Sequence, residues 1–519
     1  MNMQVEITSE KVFTMDALHY LGLLVSILFI VYQFSANRRN QHKNLPPSPP
    51  SIPIIGHFHL LKMPIHQALN NLSKKYGPIL LLHLGSRPTL VLSSRSAIEE
   101  CFPNNDIIFS NRPLLPSRKS LQYNHTTLGA PYGNHWRNIR RFSVIEIFSA
   151  RRLQMSSEIR IEEIRFMINH LYKNSFEGVR KVDVKTSFYS LAFNIVMKMV
   201  TGKRCFEAQE LDSEKGNKKL DDLVEMFGPM LTMALGDYFP FLRWLTYYGT
   251  ERKLLKIHKR KDAFIQSLLD AHQNTSSLTS VDGQKTSQTI IDVMLKLQES
   301  EPEFYTNDVI KGIIQAMLIA GTHTTAVTME RVVSQLISHP DVIQNARDEI
   351  DNHVGYSRLI NDTDLAKFPY LHCIINETLR LSSGGVLPAR ESSEECTVGG
   401  YHIPRGTQLL VNTWAVHRDP ELWTEPDRFK PERFLESEEE KGRFKFIAFG
   451  IGRRICPGEG LGMRVMALTL GTLIQCFEWE DARDESQGPS KTNLNKPVNT
   501  SAEIVFRPRE ALTKVLAQL

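Results

Sequence analysis

With 519 residues the chain is long enough for one large domain or several ordinary ones, and its 41% hydrophobic and 23% charged residues exclude a collagen-like or wholly disordered protein. A net charge of +5, with Lys and Arg dispersed and no finger, homeodomain or RNA-binding motif, predicts no nucleic-acid partner; an anionic membrane surface or an acidic protein suits the basic balance better. The six cysteines (Cys101, Cys205, Cys373, Cys396, Cys456, Cys476) lie far apart without a Cys-x-x-Cys pair, which argues against a disulfide scaffold or zinc site and leaves five of them as ordinary buried residues.

Residues 17–34 read ALHYLGLLVSILFIVYQF, an apolar run without Lys, Arg, Asp or Glu that is just long enough to span a bilayer. Arg38, Arg39 and Lys43 follow it, so residues 1–16 are expected to be lumenal and the bulk of the chain cytosolic. A cleaved signal peptide is the alternative, but the positive leading region and small-residue cleavage site are missing. Residues 35–56 form a basic and proline-rich linker. Its segment LPPSPPSIPIIG, Leu45 to Gly56, favours stiff polyproline geometry, as a spacer or as an SH3-type ligand. Residues 57–519 contain no comparable second linker and no internal repeat, and read as one domain.

Leu80 to Ser94 predicts a strand, a Gly-Ser-Arg-Pro turn and a second strand. Helical periodicity fills much of Arg152 to Gln298, with the polar stretch Gln273 to Ser287 read as a surface loop. A long helix starts near Thr306 or Asn307, both good N-cap types, and stops at Pro340. At over thirty residues it runs nearly 50 Å, at about 1.5 Å per residue, and must cross the interior of the domain. Its centre, Ala320-Gly321-Thr322-His323-Thr324-Thr325, holds residues that weaken or distort a helix, which predicts either a ligand groove or close packing of a second helix at Gly321. Thr397 to Val411 reads as short strands with turns. The fold class is therefore mainly α with a small β portion.

Phe444 to Gly458 reads FKFIAFGIGRRICPG. Glycines permit tight turns, arginines flank Cys456, and a helix begins shortly after, so a thiolate at Cys456 is favoured by the helix dipole and by nearby positive charge. Such a thiolate is a nucleophile or a metal ligand. No His-Asn pair of protease type accompanies it, which weakens the first reading.

Phe449-Gly450-x-Gly452-x-Arg454-x-Cys456-x-Gly458 closely resembles the haem-binding signature of the cytochrome P-450 superfamily. Glu377-Thr378-Leu379-Arg380 is similar to that family's Glu-x-x-Arg motif, and Pro431-Glu432-Arg433-Phe434 to its Pro-Glu-Arg-Phe motif. The resemblance covers essentially the whole chain. It implies the cytochrome P-450 fold, haem b with Cys456 as iron ligand, and a buried ion network of Glu377, Arg380 and Arg433. It implies propionate contacts from Trp136, Arg140, Arg390 and Arg454, and an oxygen-activating helix centred on Ala320, Gly321, His323 and Thr324. It further implies electrons from NADPH through a flavoprotein reductase that docks near Arg137, Arg141, Arg443, Lys445 and Arg453. O2 is the oxidant, the substrate is a small lipophilic molecule, and the chain is a monomer on the endoplasmic reticulum facing the cytosol. Substrate contacts are expected from Leu114 to Leu128, from Met317 and Ala320, from Gly384 to Leu387 (including Gly385 and Val386), and from Pro497 to Ala502. At finer grain, TVGGYHIPRGTQLLVNTWAVHRDPELW and LGTLIQCFEWE resemble plant microsomal A-type enzymes, the group of isoflavone hydroxylases and relatives acting on lignans, alkaloids and terpenoids.

Two departures stand out. The family usually carries Asp or Glu where this chain has His323, which either relays protons itself or is bonded without catalytic role. Ser382-Ser383-Gly384-Gly385 replaces a proline-containing stretch and predicts an enlarged pocket. Two competing readings follow from an altered oxygen helix: a haem-thiolate isomerase or dehydratase working without reductase, and a non-catalytic membrane haem or sterol binder. The retained Thr324 and the unexpanded cysteine loop argue against the isomerase or dehydratase; only His323 makes the binder conceivable.

Overall fold

The computed structural model describes residues 44–519 apart from 120, 122, 124–126, 128, 176–180, 209, 211–212, 229–234, 243–248, 250, 280–287, 383–384, 436–443 and 482–502, together with 19–20, 22–24 and 26–27. Most of the apolar run 17–34 thus lies outside the described residues, as do Arg443 and Pro497 to Ala502. Among the described residues no helix is long and apolar enough to cross a membrane.

Helix α1 (Ile65–Tyr76) leads into the hairpin β1 (Ile79–Leu84) and β2 (Arg87–Leu92). The turn is shorter than the sequence suggested, because Arg87 and Pro88 belong to the second strand, paired with Leu84 and His83. Proline is tolerated there because β2 begins to pair with its other neighbour only at Thr89, so no ladder bond needs the missing N–H. Helices α2 (Arg95–Asn105), α3 (Asn134–Phe142), α4 (Ala150–Met155) and α5 (Ser157–Ser175) follow, then the two-residue strand β3 (Val182–Asp183). Next come α6 (Val184–Thr201), α7 (Glu214–Phe227), α8 (Arg252–Thr279), α9 (Ile290–Ser300), α10 (Asn307–Ile337), α11 (Pro340–Val354) and α12 (Pro369–Ser382). Helix α8 corrects the loop expected from Gln273: it continues to Thr279, since no Gly or Pro breaks the chain before Gly283.

The strands β4 (Arg390–Glu391), β5 (Cys396–Val398), β6 (Tyr401–Ile403) and β7 (Gln408–Val411) precede α13 (Glu459–Cys476), and β8 (Phe477–Asp481), β9 (Glu503–Pro508) and a short helix, Thr513–Leu516, follow it. One sheet has the order β1-β2-β7-β4, with β2 and β7 parallel and the other pairs antiparallel; a second has the order β3-β9-β8, and β5-β6 is a separate hairpin. Helices hold many more of the described residues than strands do.

Helix α10 runs through the main core. Thr306 caps it by accepting the Val309 N–H, and it is continuous for 31 residues. The main core cluster joins it to α5, α6, α9, α11, α12 and α13. Gly321 sits where α6 crosses: a Cβ there would lie 3.0 Å from Val196 Cγ2. The glycine therefore serves helix packing, one of the two readings the sequence left open. Ala320 and Thr324, one turn apart, are exposed midway along a helix whose neighbouring turns are buried.

Candidate active site

The cysteine loop is a backbone hairpin. Cys456 N–H donates to Phe449 O at 2.9 Å, and Ile455 N–H to Gly452 O at 3.0 Å. Gly450 and Gly452 adopt φ of +85° and +64°, which L side chains rarely reach, and a Cβ on Gly452 would run into the Asp106 carboxylate. Asp106 also accepts the Arg453 N–H at 3.0 Å and faces Arg390 at 3.4 Å, so the end of α2 anchors the loop. This role was not legible in the sequence.

Of the six cysteines, Cys101, Cys373 and Cys476 are buried, Cys205 and Cys396 half-buried, and Cys456 alone is exposed. Burial of its surroundings pushes the Cys456 thiol up; N–H groups of Gly458 and Glu459 at the start of α13, and the charge of Arg140, pull the other way, while Glu459 adds to the rise. A metal ion in place of the thiol proton would remove that penalty and keep the donors.

Around the loop four arginines converge from four segments. Trp136 and Arg140 share one face of α3, Arg390 comes from β4, Arg454 from the loop and Arg112 from the segment before α3. Arg454 lies 4.3 Å over the Trp136 ring and donates to Ser110 O at 2.7 Å and Ala130 O at 2.6 Å. Arg390 donates to Ile451 O and sits 4.9 Å over Phe102. Burial, with Arg112, Arg390 and Arg140 adding repulsion, pulls Arg454 down to about 9. Four guanidiniums held together against their mutual repulsion make a cradle for a dianion, and planar forks match carboxylates. Arg112 was absent from the sequence reading, since only the fold brings it to this cluster.

Behind the loop, Glu377 and Arg380 are fully buried and paired through both carboxylate oxygens, at 2.7 and 2.8 Å. Arg433 adds a bond to Glu377 at 3.1 Å, and Arg380 also donates to His417 O and Pro426 O at 2.5 and 2.7 Å. Every fork position finds an acceptor, as a buried charge requires.

On the far face, the interruption expected in the long helix does not occur. Thr324 Oγ1 donates to Ala320 O at 2.6 Å, so the hydroxyl folds back onto its own helix and the turn is kept. His323 is half-buried; burial first, then Lys185 and Arg331, hold its imidazole below the ordinary histidine value.

The substrate segments are only partly borne into open space. Met317 is 7% exposed and belongs to the main core. Gly385 is buried with φ +77°, and a Cβ there would strike His66. Its smallness makes room for His66 of α1 and does not enlarge a pocket; Gly384 lies outside the described residues. Val386 and Leu387 are half-buried and pack on two separate apolar clusters. Tyr123, in the segment from Leu114 to Leu128, donates to Asp262 of α8 at 3.0 Å; Lys311 of α10 reaches the same carboxylate at 2.9 Å, and Gln315 donates to Leu121 O at 2.7 Å. That segment is thereby tied to two helices.

A family model described as Cytochrome P-450 matches residues 46–506. The chain belongs to the cytochrome P-450 family. It is 45% identical over 503 residues to cytochrome P-450 81Q32 of Catharanthus roseus, covering 96% of this chain and 97% of that protein. It is 43% identical over 505 residues to a (+)-piperitol/(+)-sesamin synthase of Sesamum radiatum, covering 96% and 97%, and 42% identical over 472 residues to an isoflavone 2'-hydroxylase of Glycyrrhiza echinata, covering 90% and 92%. As a cytochrome P-450 the protein is a monooxygenase that carries haem with a cysteine-thiolate iron ligand, and receives electrons from NADPH through a reductase. Its residues fit that group: one exposed thiol at a helix N-terminus, an arginine cradle for the two propionates, and an accessible strip at Ala320 and Thr324.

Proposed function

We propose that the chain is a monooxygenase of the endoplasmic reticulum membrane that hydroxylates, or closes a ring on, a lipophilic plant specialised metabolite. Isoflavonoids and phenylpropanoids come first, alkaloids and terpenoids next, because relatives at 40–45% identity carry the names isoflavone hydroxylase and piperitol/sesamin synthase. Residues 1–16 are lumenal, 17–34 the anchor, 35–56 the linker and 57–519 the catalytic domain, which works as a monomer facing the cytosol. The apolar run and its positive C-terminal flank support this arrangement.

The bound haem supplies oxygen activation. The protein's residues do the rest. Cys456 holds the iron, with the Gly458 and Glu459 N–H groups stabilising its negative charge. Trp136, Arg140, Arg390 and Arg454, with Arg112 close by, orient the propionates, and Phe449, Gly450 and Gly458 shape the loop. Glu377, Arg380 and Arg433 keep it rigid. Thr324 turns its hydroxyl from Ala320 O toward the reacting side when a proton is needed there, His323 carries protons behind it, and Gly321 sets the helix against α6. Ala320, Val386 and Leu387 contact substrate. The exposed Cys456 thiol at the head of α13, beside the arginine cluster, carries the reading.

The test is an assay of microsomes holding the full chain and a reductase against a panel of plant phenolics, alkaloids and terpenoids. Product that needs both NADPH and O2 is expected. Cys456→Ala should lose the thiolate-type ferrous–CO spectrum and all product. Product formed without NADPH, or a thiolate-type spectrum surviving in Cys456→Ala, would overturn the assignment.

A further inference from the structure

A cavity of about 220 Å³ lies between α5 and α6. Glu163, Phe166 and Met167 line it from α5, and Ser187, Ser190 and Leu191 from α6, in each case at the spacing that puts side chains on one helix face. It shares no lining residue with the cysteine loop, the arginine cradle or the strip at Ala320 and Thr324.

Glu163 is 1% exposed, and its two oxygens have different surroundings. Oε1 accepts from Arg204 at 2.8 and 3.2 Å and meets Lys198 at 3.0 Å, whereas Oε2 is buried without a hydrogen-bond partner among the described residues. A buried carboxylate oxygen without a donor is costly, and a hydrogen bond to a charged group is worth more than one between neutral groups. The cavity that Glu163 lines is where such a donor can reach it.

The charge around Glu163 decides what the donor is. Glu162 and Glu163 each lie within 3.2 Å of both Lys198 and Arg204, so two carboxylates already meet two cations; Glu207 stands farther off, 3.9 Å from Arg204. At the rim, exposed Lys181 and Asp183 are of opposite sign, and the half-buried His170 ring faces Asn174 Nδ2 at 3.1 Å. A neutral hydroxyl supplies the missing bond at Oε2 without upsetting that balance. Phe166 and Met167 suit an aromatic body, since rings and thioethers both pack well on a ring. Arg204, 4.3 Å over the Phe166 ring, ties that wall to Glu163. The volume is below the roughly 300 Å³ at which pockets for drug-sized ligands begin, which limits the ligand to a single-ring molecule.

We propose that this cavity is a second ligand site, separate from the haem pocket, that takes a small neutral phenol whose O–H donates to Glu163 Oε2. The experiment uses the haem-loaded full chain in lipid discs, with the iron ligated by an imidazole-type inhibitor so that the haem pocket is occupied. Para-fluorophenol is followed by fluorine NMR, with fluorobenzene, para-fluoroanisole and para-fluorobenzylamine as comparisons. A saturable phenol site is expected, roughly 10- to 100-fold tighter than fluorobenzene, the range for a hydrogen bond to a charged group. Ser187→Trp, which sends an indole into the cavity from a half-buried position, should abolish it. Glu163→Gln, with its carbonyl oxygen kept by Arg204 and Lys198, turns the acceptor into a donor. It should shift the preference from the phenol to para-fluoroanisole, a change that loss of structure alone would not produce. Absence of a saturable site leaves the cavity to water and overturns the proposal. So does phenol binding that survives Ser187→Trp, fluorobenzene binding as tightly as the phenol, or tighter binding of the amine, which would make this a cation site. If Glu163→Gln does not fold, the Ser187→Trp result and the order of the four probes on the wild type decide the matter.

Discussion

His417 joins the buried ion network to the cysteine loop. Its carbonyl accepts from Arg380 at 2.5 Å, and its ring Nε2 accepts the Ile447 N–H at 3.1 Å, two residues before Phe449. The side chain is fully buried, and burial, then Arg380 and Arg418, hold its imidazole down at about 3. A neutral ring is what lets Nε2 accept. The unfolded histidine titrates near 6.5, so between pH 6.5 and 3 the unfolded state binds the extra proton and the folded state does not. This contribution to stability is present in full above pH 6.5 and is lost as pH falls toward 3. Melting temperature followed between pH 7 and 4 should therefore drop more steeply for the wild type than for His417→Asn, which keeps an acceptor and cannot titrate. Parallel curves would show that His417 does not govern acid stability. Residues like this one were invisible in the sequence. Cys456, Glu377 and Arg380 announce themselves by fixed local spacing, whereas Arg112, Asp106, His66 and His417 matter only through neighbours 30 to 347 positions away, and no local pattern encodes that.

At the level of elements, the parts set by local periodicity were legible. The β1–β2 hairpin, the strands after Thr397 and the Thr306 cap of α10 stand where alternation and capping chemistry put them. The end of α8 was not, because a polar run without Gly or Pro stays helical when nothing forces it out. Nor could the sequence decide whether Gly321 serves a groove or a crossing. The structure assigns it to the crossing, which makes a sign prediction possible. An exposed or uncrowded Gly→Ala change in a helix gains up to about 1 kcal/mol. At Gly321 the new methyl would meet Val196 Cγ2 at 3.0 Å, on a stiff β-branched side chain that cannot yield far. Gly321→Ala alone should be neutral or destabilising, while the same change in a Val196→Ala background should recover most of that propensity gain, read by denaturant unfolding of the haem-loaded protein. Additive effects of the two substitutions would show that α6 does not press on Gly321.

At the scale of the molecule, the charge of +5 is modest, yet its placement beside the cysteine loop is not uniform. Arg137 and Arg453 both reach the Tyr132 ring, at 5.8 and 5.9 Å, and Arg137, Arg141 and Arg453 are all exposed. Lys445, expected to share this face, instead lies 4.8 Å over Trp423 and is half-buried, so part of its charge is spent on packing. An acidic flavin domain approaching the loop would thus be steered mainly by the three arginines. Arg137→Glu with Arg141→Glu should slow the first electron transfer from reductase about tenfold at low ionic strength. The deficit should shrink as salt rises, because the Debye length falls from about 30 Å at 0.01 M to about 10 Å at 0.1 M. Haem content should stay unchanged, since neither side chain belongs to the propionate cradle. Lys445→Glu should affect docking less and stability more, through the lost contact with Trp423. If the double arginine variant is reduced at the wild-type rate at every salt concentration, the reductase docks elsewhere; if Lys445→Glu slows reduction as much as the pair does, the steering charge is spread over the whole face and exposure does not rank it.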